Sequence, residues 1–203
     1  MVITYFGNSY FKLTLGDLTI AINPPSKESK PTRFGADIAL VTTNIPECND
    51  PVTVSLGEKQ PFVIDGPGSY EVRGLFFAGT QSKITIDKIE KINTVYGFEL
   101  DGIRIAFLGL INDEKAFSAE AKEMISNADM VFILVGDDPT RAYKTALAFD
   151  PNIIIPYGYS DATLAKFLKE AGQEKTKSED KATLKRRDLD GKEGHVLVLA
   201  PQS

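Results

Sequence analysis

Few side chains in this 203-residue chain are of the kinds that do chemistry, and they do not cluster. Glu47 and Cys48 stand side by side in the stretch 36–50, ADIALVTTNIPECND. A carboxylate and a thiolate are both metal donors, yet two adjacent donors fall short of the three or four that zinc takes. A thiolate is also a nucleophile, but it needs a base beside it. His195 is the only histidine, and it lies near the other end of the chain. Asp137 and Asp138 form a second acidic pair. Their oxygens would suit Mg²⁺ or Ca²⁺, and an aspartate before Pro139 equally reads as a helix cap. A free cysteine is usually a packing residue, and a loop carboxylate is usually solvated.

The elements that would position these groups follow from the hydrophobic pattern. Residues 38–41 are a short apolar run of the kind a covered strand shows, and the polar stretch 42–50 with Pro46 ends it. Layered α/β proteins place chemistry in loops leaving such strand ends. Upstream, residues 2–6, 10–15 and 18–22 predict an antiparallel meander with turns at Gly7-Asn8-Ser9 and Gly16-Asp17, closing at Asn23-Pro24. Downstream, 61–64, 70–73 and 75–79 read as strands, with Gly66-Pro67-Gly68 as a tight bend and 80–83 as a loop carrying a solvated Lys83. Asp101-Gly102 joins strands 93–100 and 103–108. Helices are expected over 116–127, 140–149 and 160–172, the second packing through Ala142, Ala146 and Phe149 or Tyr143 and Leu147. Between them lie strands 129–135 and 153–155. A short strand near 183–187 and a last one over 195–199 complete the chain.

Several of these segments carry a specific pattern. Gly7, Ser9 and Phe11 fit G-[HL]-S-x-F, and Arg33 to Asp37 read R-F-G-A-D. Gly66, Pro67, Gly68, Tyr70, Glu71, Val72 and Gly74 fit G-P-G-E-Y-E-V-x-G except at Ser69. Pro156 and Tyr159 fit the ends of P-M-H-Y. On these residues the chain resembles the metallo-β-lactamase-fold hydrolases, in particular a small bacterial single-domain branch, over about residues 1–200. The resemblance implies an α/β fold, a four-layer αββα sandwich of two mixed sheets with helices outside, forming one domain over 1–203.

The resemblance also locates what this chain lacks. The family strand ending in V-[ST] matches at Val41 and Thr42, but the H-x-H-x-D-H that follows does not. Thr43 and Ile45 stand for the first two histidines, Glu47 for the aspartate and Cys48 for the last histidine. Leu110 occupies the place of the metal-bridging aspartate, and Gly158 that of the last histidine ligand. No histidine follows strand 75–79, where active relatives have a third ligand. Asn23 replaces a supporting aspartate. Without a cation to balance it, a buried carboxylate would cost more than this amide.

The expectation is therefore a non-catalytic member, without catalytic residues, bound metal or cofactor, that binds, scaffolds or regulates. Asn8, Asn23, Glu47, Cys48, Asp137 and Tyr157 are the candidate cleft-lining residues. The alternative is a hydrolase of ester or phosphodiester bonds with zinc or another divalent metal held by Glu47, Cys48, Asp137 and Asp138.

Composition narrows the partners. A net charge of −5 with interspersed signs disfavours polyanions, so nucleic acid is not expected. The charged stretch 173–193 reads as solvated surface. No apolar run is long enough to cross a membrane, and nothing resembles a signal peptide. One cysteine fits a reducing compartment, hence a cytoplasmic protein. The partner is an unknown ligand or protein, with a homo-oligomer left open.

Overall fold

The computed structural model describes residues 1–202. Strands β1 (Val2–Tyr5), β2 (Phe11–Leu15) and β3 (Leu18–Ile22) form the expected meander, and β4 (Ile38–Leu40) and β5 (Phe62–Ile64) add to it in parallel. A strand from the far end of the chain, β12 (Lys181–Thr183), pairs antiparallel with β1 and completes a six-stranded mixed sheet.

The second sheet has seven strands. β6 (Gly68–Val72), β7 (Leu75–Ile86), β8 (Ile89–Leu100) and β9 (Ile103–Phe107) run antiparallel in sequence. β10 (Met130–Leu134), β11 (Ile153–Tyr157) and β13 (His195–Val196) then continue in parallel from β9. Helices α1 (Ala119–Ile125), α2 (Pro139–Leu147) and α3 (Asp161–Glu170) supply the crossovers. Ser118, Asp138 and Ser160 cap them by accepting from backbone N–H groups of the first turn, which satisfies donors no helix can satisfy itself.

The two sheets face each other across an apolar core that includes Phe11, Phe107, Phe132 and Tyr157, with Phe11 edge-on to the other three rings at 5.1–5.8 Å. A second apolar layer lies between the seven-stranded sheet and the helices, where Ala121, Ile125, Ala142, Ala146 and Phe167 are buried. The outer face of the six-stranded sheet is covered differently. Tyr10, Phe34, Ala39 and Val54 cluster there beneath loops carrying two 3₁₀ turns, Lys27–Ser29 and Pro51–Val54. The αββα order holds, with its first layer reduced to short turns.

Three expectations need correction. Lys83 is on a strand, not a loop: β7 runs on to Ile86, and Lys83 pairs with Ile92 and meets Glu90 at 2.8 Å. The alternation Thr80, Ser82, Ile84, Ile86 on one face explains why the strand continues. The late strand sits at β12 rather than 183–187, because Arg186–Leu189 turns into a 3₁₀ helix that buries Leu189. Leu147 does not pack: it is exposed at the end of α2, while Thr145 is buried instead.

Candidate functional site

Parallel strands deliver their following loops to one end of the sandwich. The loops after β4, β9, β10 and β11 meet there and are stitched together. Thr94 N donates to Thr42 O at 2.7 Å, Gly136 N donates to Gly158 O at 3.3 Å, and the Tyr157 hydroxyl donates to Gly109 O. Tyr5 joins from the other sheet: its hydroxyl donates to Asn8 O and accepts from Gly158 N.

These loops enclose a cleft of about 330 Å³ lined by Asn8, Ser9, Ile45, Glu47, Cys48, Leu110, Leu134 and Gly158. Five of the six positions where the family resemblance places metal donors therefore border one hollow. The sixth, Thr43, is buried behind it. Of the other candidate residues, Asn8 and Glu47 are exposed at the cleft. Asn23 is fully buried behind Thr42, whose N–H and hydroxyl both donate to its Oδ1 at 2.8 and 3.0 Å. Tyr157 is fully buried beneath the floor, and burial holds its phenol well above the ordinary value. Asp137 is exposed beside Gly136 and does not line the hollow, while Asp138 caps α2 through a 3.0 Å bond from Arg141 N.

The donor set does not fit a divalent metal. Ile45, Leu110 and Gly158 offer no donor atom, and Glu47 faces solvent. Cys48 is fully buried, with its sulfur 3.6 Å from Ser9 Oγ. Burial pushes its thiol up to about 11, and the Glu47 charge adds to the rise. With no cation beside it, it is a neutral thiol at neutral pH and a poor nucleophile. Among the described residues no three His, Cys, Asp or Glu side chains are grouped to hold an ion. Gly158 has φ +62°, and a Cβ there would meet Leu134 Cδ1 at 2.5 Å. His195 sits at the start of β13, beside Ile153 and so at the opposite end of β11 from Gly158.

What occupies the centre of this end is Asn93, which sequence reasoning passed over. It is fully buried on β8, and all four hydrogen-bonding positions of its carboxamide are used. Oδ1 accepts from Leu110 N at 2.7 Å and from the Thr43 hydroxyl at 3.3 Å; Nδ2 donates to Ser82 Oγ at 3.0 Å and to Leu108 O at 3.1 Å. The approach is so close that a Cβ on Gly109, at φ +69°, would lie 2.2 Å from Asn93 Oδ1. One neutral amide thus joins the segments at Thr43, Ser82 and Leu110. In sequence the only signal was an asparagine inside a run that otherwise reads as strand, where this residue type is depleted.

Comparison with known proteins bears on the fold and the family. No curated protein matches. Among solved structures, a proposed Zn-dependent hydrolase of the metallo-β-lactamase superfamily from Thermotoga maritima has 23% identity and a TM-score of 0.71, over 98% of this chain and 97% of that one. A proposed metal-dependent hydrolase from Parabacteroides distasonis has 16% identity and a TM-score of 0.68, over 98% and 93%. A metallo hydrolase from the archaeon Ignicoccus hospitalis has 16% identity and a TM-score of 0.62, over 100% and 96%. At such identities these likenesses establish the fold. The family is established by the sequence model for the beta-lactamase superfamily domain, which matches residues 2–157. The chain belongs to that family.

Proposed function

We propose that this protein is a member of its family that binds a ligand or partner without hydrolysing it. The observation that carries this reading is the composition of the cleft: where metal donors are expected stand Ile45, Glu47, Cys48, Leu110 and Gly158. A family hydrolase needs its metal to bring the pKa of bound water to about 7. Nothing in this donor set replaces that function: the thiol of Cys48 is buried, and the Glu47 carboxylate next to it faces solvent. The reading takes residues 1–203 as one domain working in the cytoplasm, a placement that rests on the single cysteine; no described helix is long and apolar enough to cross a membrane.

The test is metal content after purification without added metal, with turnover measured on phosphodiester, lactone and thioester substrates. The expected result is substoichiometric zinc and no turnover above solvent. Stoichiometric zinc together with bond cleavage would sink the proposal.

A further inference from the structure

The cleft does not end at Glu47. A larger hollow of about 570 Å³ adjoins it, and Asn8 and Glu47 line both. The two linings differ. Beyond Glu47 the smaller cleft is apolar, walled by Ile45, Leu110, Leu134 and the bare backbone of Gly158. The larger hollow is aromatic and acidic. Phe6 and Tyr10 lie in its wall with ring centroids 5.1 Å apart, and Glu28 and Glu47 present exposed carboxylates. Among the described residues Lys30, also exposed, is the single cation lining either hollow.

These linings discriminate between ligand charges. An anion would meet two carboxylates and one mobile ammonium, with no guanidinium to hold it in a fork. A cation would meet the Glu47 carboxylate at the junction and that of Glu28 in the larger hollow. An apolar chain entering the smaller cleft would leave water for contact with branched aliphatic side chains, the main source of affinity in such a site.

Resting on the metal-free reading above, we propose that the joined hollows bind an organic amine. Its apolar tail lies over Ile45, Leu110 and Leu134, and its ammonium stands against Glu47. The number of carbons in the tail is limited by the smaller hollow, and the larger one leaves room for substituents on nitrogen.

The test uses the full chain, purified without added metal, and three probes of equal length: hexylammonium, hexanol and hexanoate. Methyl NMR titrations read both site and affinity. Saturable shifts are expected at the methyls of Ile45, Leu110 and Leu134, with hexylammonium preferred over hexanoate by about tenfold. Glu47→Gln should weaken hexylammonium about 2- to 5-fold, the range of an exposed ion pair, and leave hexanol unchanged. Leu134→Asn should weaken all three. Hexanoate bound as tightly as hexylammonium, shifts confined to other methyls, or no saturable shift with any probe would each overturn the amine assignment. None of those outcomes touches the metal-free reading, which fails only on zinc with turnover.

Discussion

The two ends of the seven-stranded sheet solve the same problem in opposite ways. At the end where β10 begins, a buried carboxylate is kept and paired. Asp129 accepts from Arg104 N at 2.8 Å and from its guanidinium at 2.8 and 3.1 Å, and meets Arg186 at 2.9 Å. Burial alone would raise this carboxyl; the Arg104 bonds outweigh it and hold it below the usual carboxylate range, with Arg186 adding to them. At the end where β10 finishes, no charged side chain is buried among the described residues. Asn93, Thr43, Ser82, Asn23 and Tyr157 are all neutral and buried. The contrast teaches that this fold tolerates a buried charge where counter-charges are fixed beside it. At the other end the buried polar side chains are amides, hydroxyls and a phenol.

Putting a charge into the neutral end should break the contrast most severely. Asn93→Asp replaces two donors with an acceptor facing Leu108 O and leaves an ion without a partner, at a cost of about 3–5 kcal/mol at pH 7. Its carboxyl should titrate upward, so the deficit should shrink as pH falls toward 5; urea unfolding at both pH values reads this. Equal deficits at both would show that lost hydrogen bonds, not charge, set the cost.

Removing the charge from the other end should cost less. The partners of Asp129 are half-exposed guanidiniums that water can recover. Asp129→Ala is expected to lose about 2–3 kcal/mol at neutral pH, discounted for that exposure. The deficit again shrinks in acid, but for the opposite reason. Because the native carboxyl is depressed, its contribution is present above the unfolded pKa of about 3.9 and disappears as pH falls through the lower native value. Wild type and variant should therefore converge in acid, as midpoints of urea unfolding will record.

Gly158→Ala should cost about 1–2 kcal/mol, from a left-handed backbone and a Cβ that displaces Leu134. Leu134→Ala should make the substitution milder, and a double-mutant cycle gives the coupling. If the two effects simply add, crowding does not close this position. Lys83→Ala, on an exposed pair at the protruding hairpin, should change stability by less than about 0.5 kcal/mol. A larger loss would mean that the hairpin supports the amide centre through more than Ser82 and Asn93.

Much of this was legible in the sequence because it depends on local rules. The meander, the buried runs at 38–41 and 129–135, and the Asp138 cap are each set by residues within a few positions. That Leu110 and Gly158 bring no side-chain donor to the cleft was legible too, since residue type alone decides it. Asn93 was not, because its role comes from four partners between 11 and 50 residues away. Nor was the length of β7: the alternation was present, but family spacing suggested a loop in its place. Leu147 was misplaced because helical periodicity says which residues share a face, not where the helix outruns the surface it packs on.

The hairpin also bears on the order of assembly. Asp87 and Lys88 both have positive φ, 51° and 64°, as a two-residue turn matched to strand twist requires. From that corner ten residue pairs run back to Phe77 and Phe98, the fifth being Ser82 opposite Asn93. Closing so short a loop loses little chain entropy, and hairpins form within about 1–10 μs. Substitutions at Lys88 should then slow folding, while those at Thr43 should mainly hasten unfolding. On this timetable Ser82 and Asn93 are neighbours before the distant segments arrive, so the nascent chain carries a ready template on which Thr43 and Leu110 later settle.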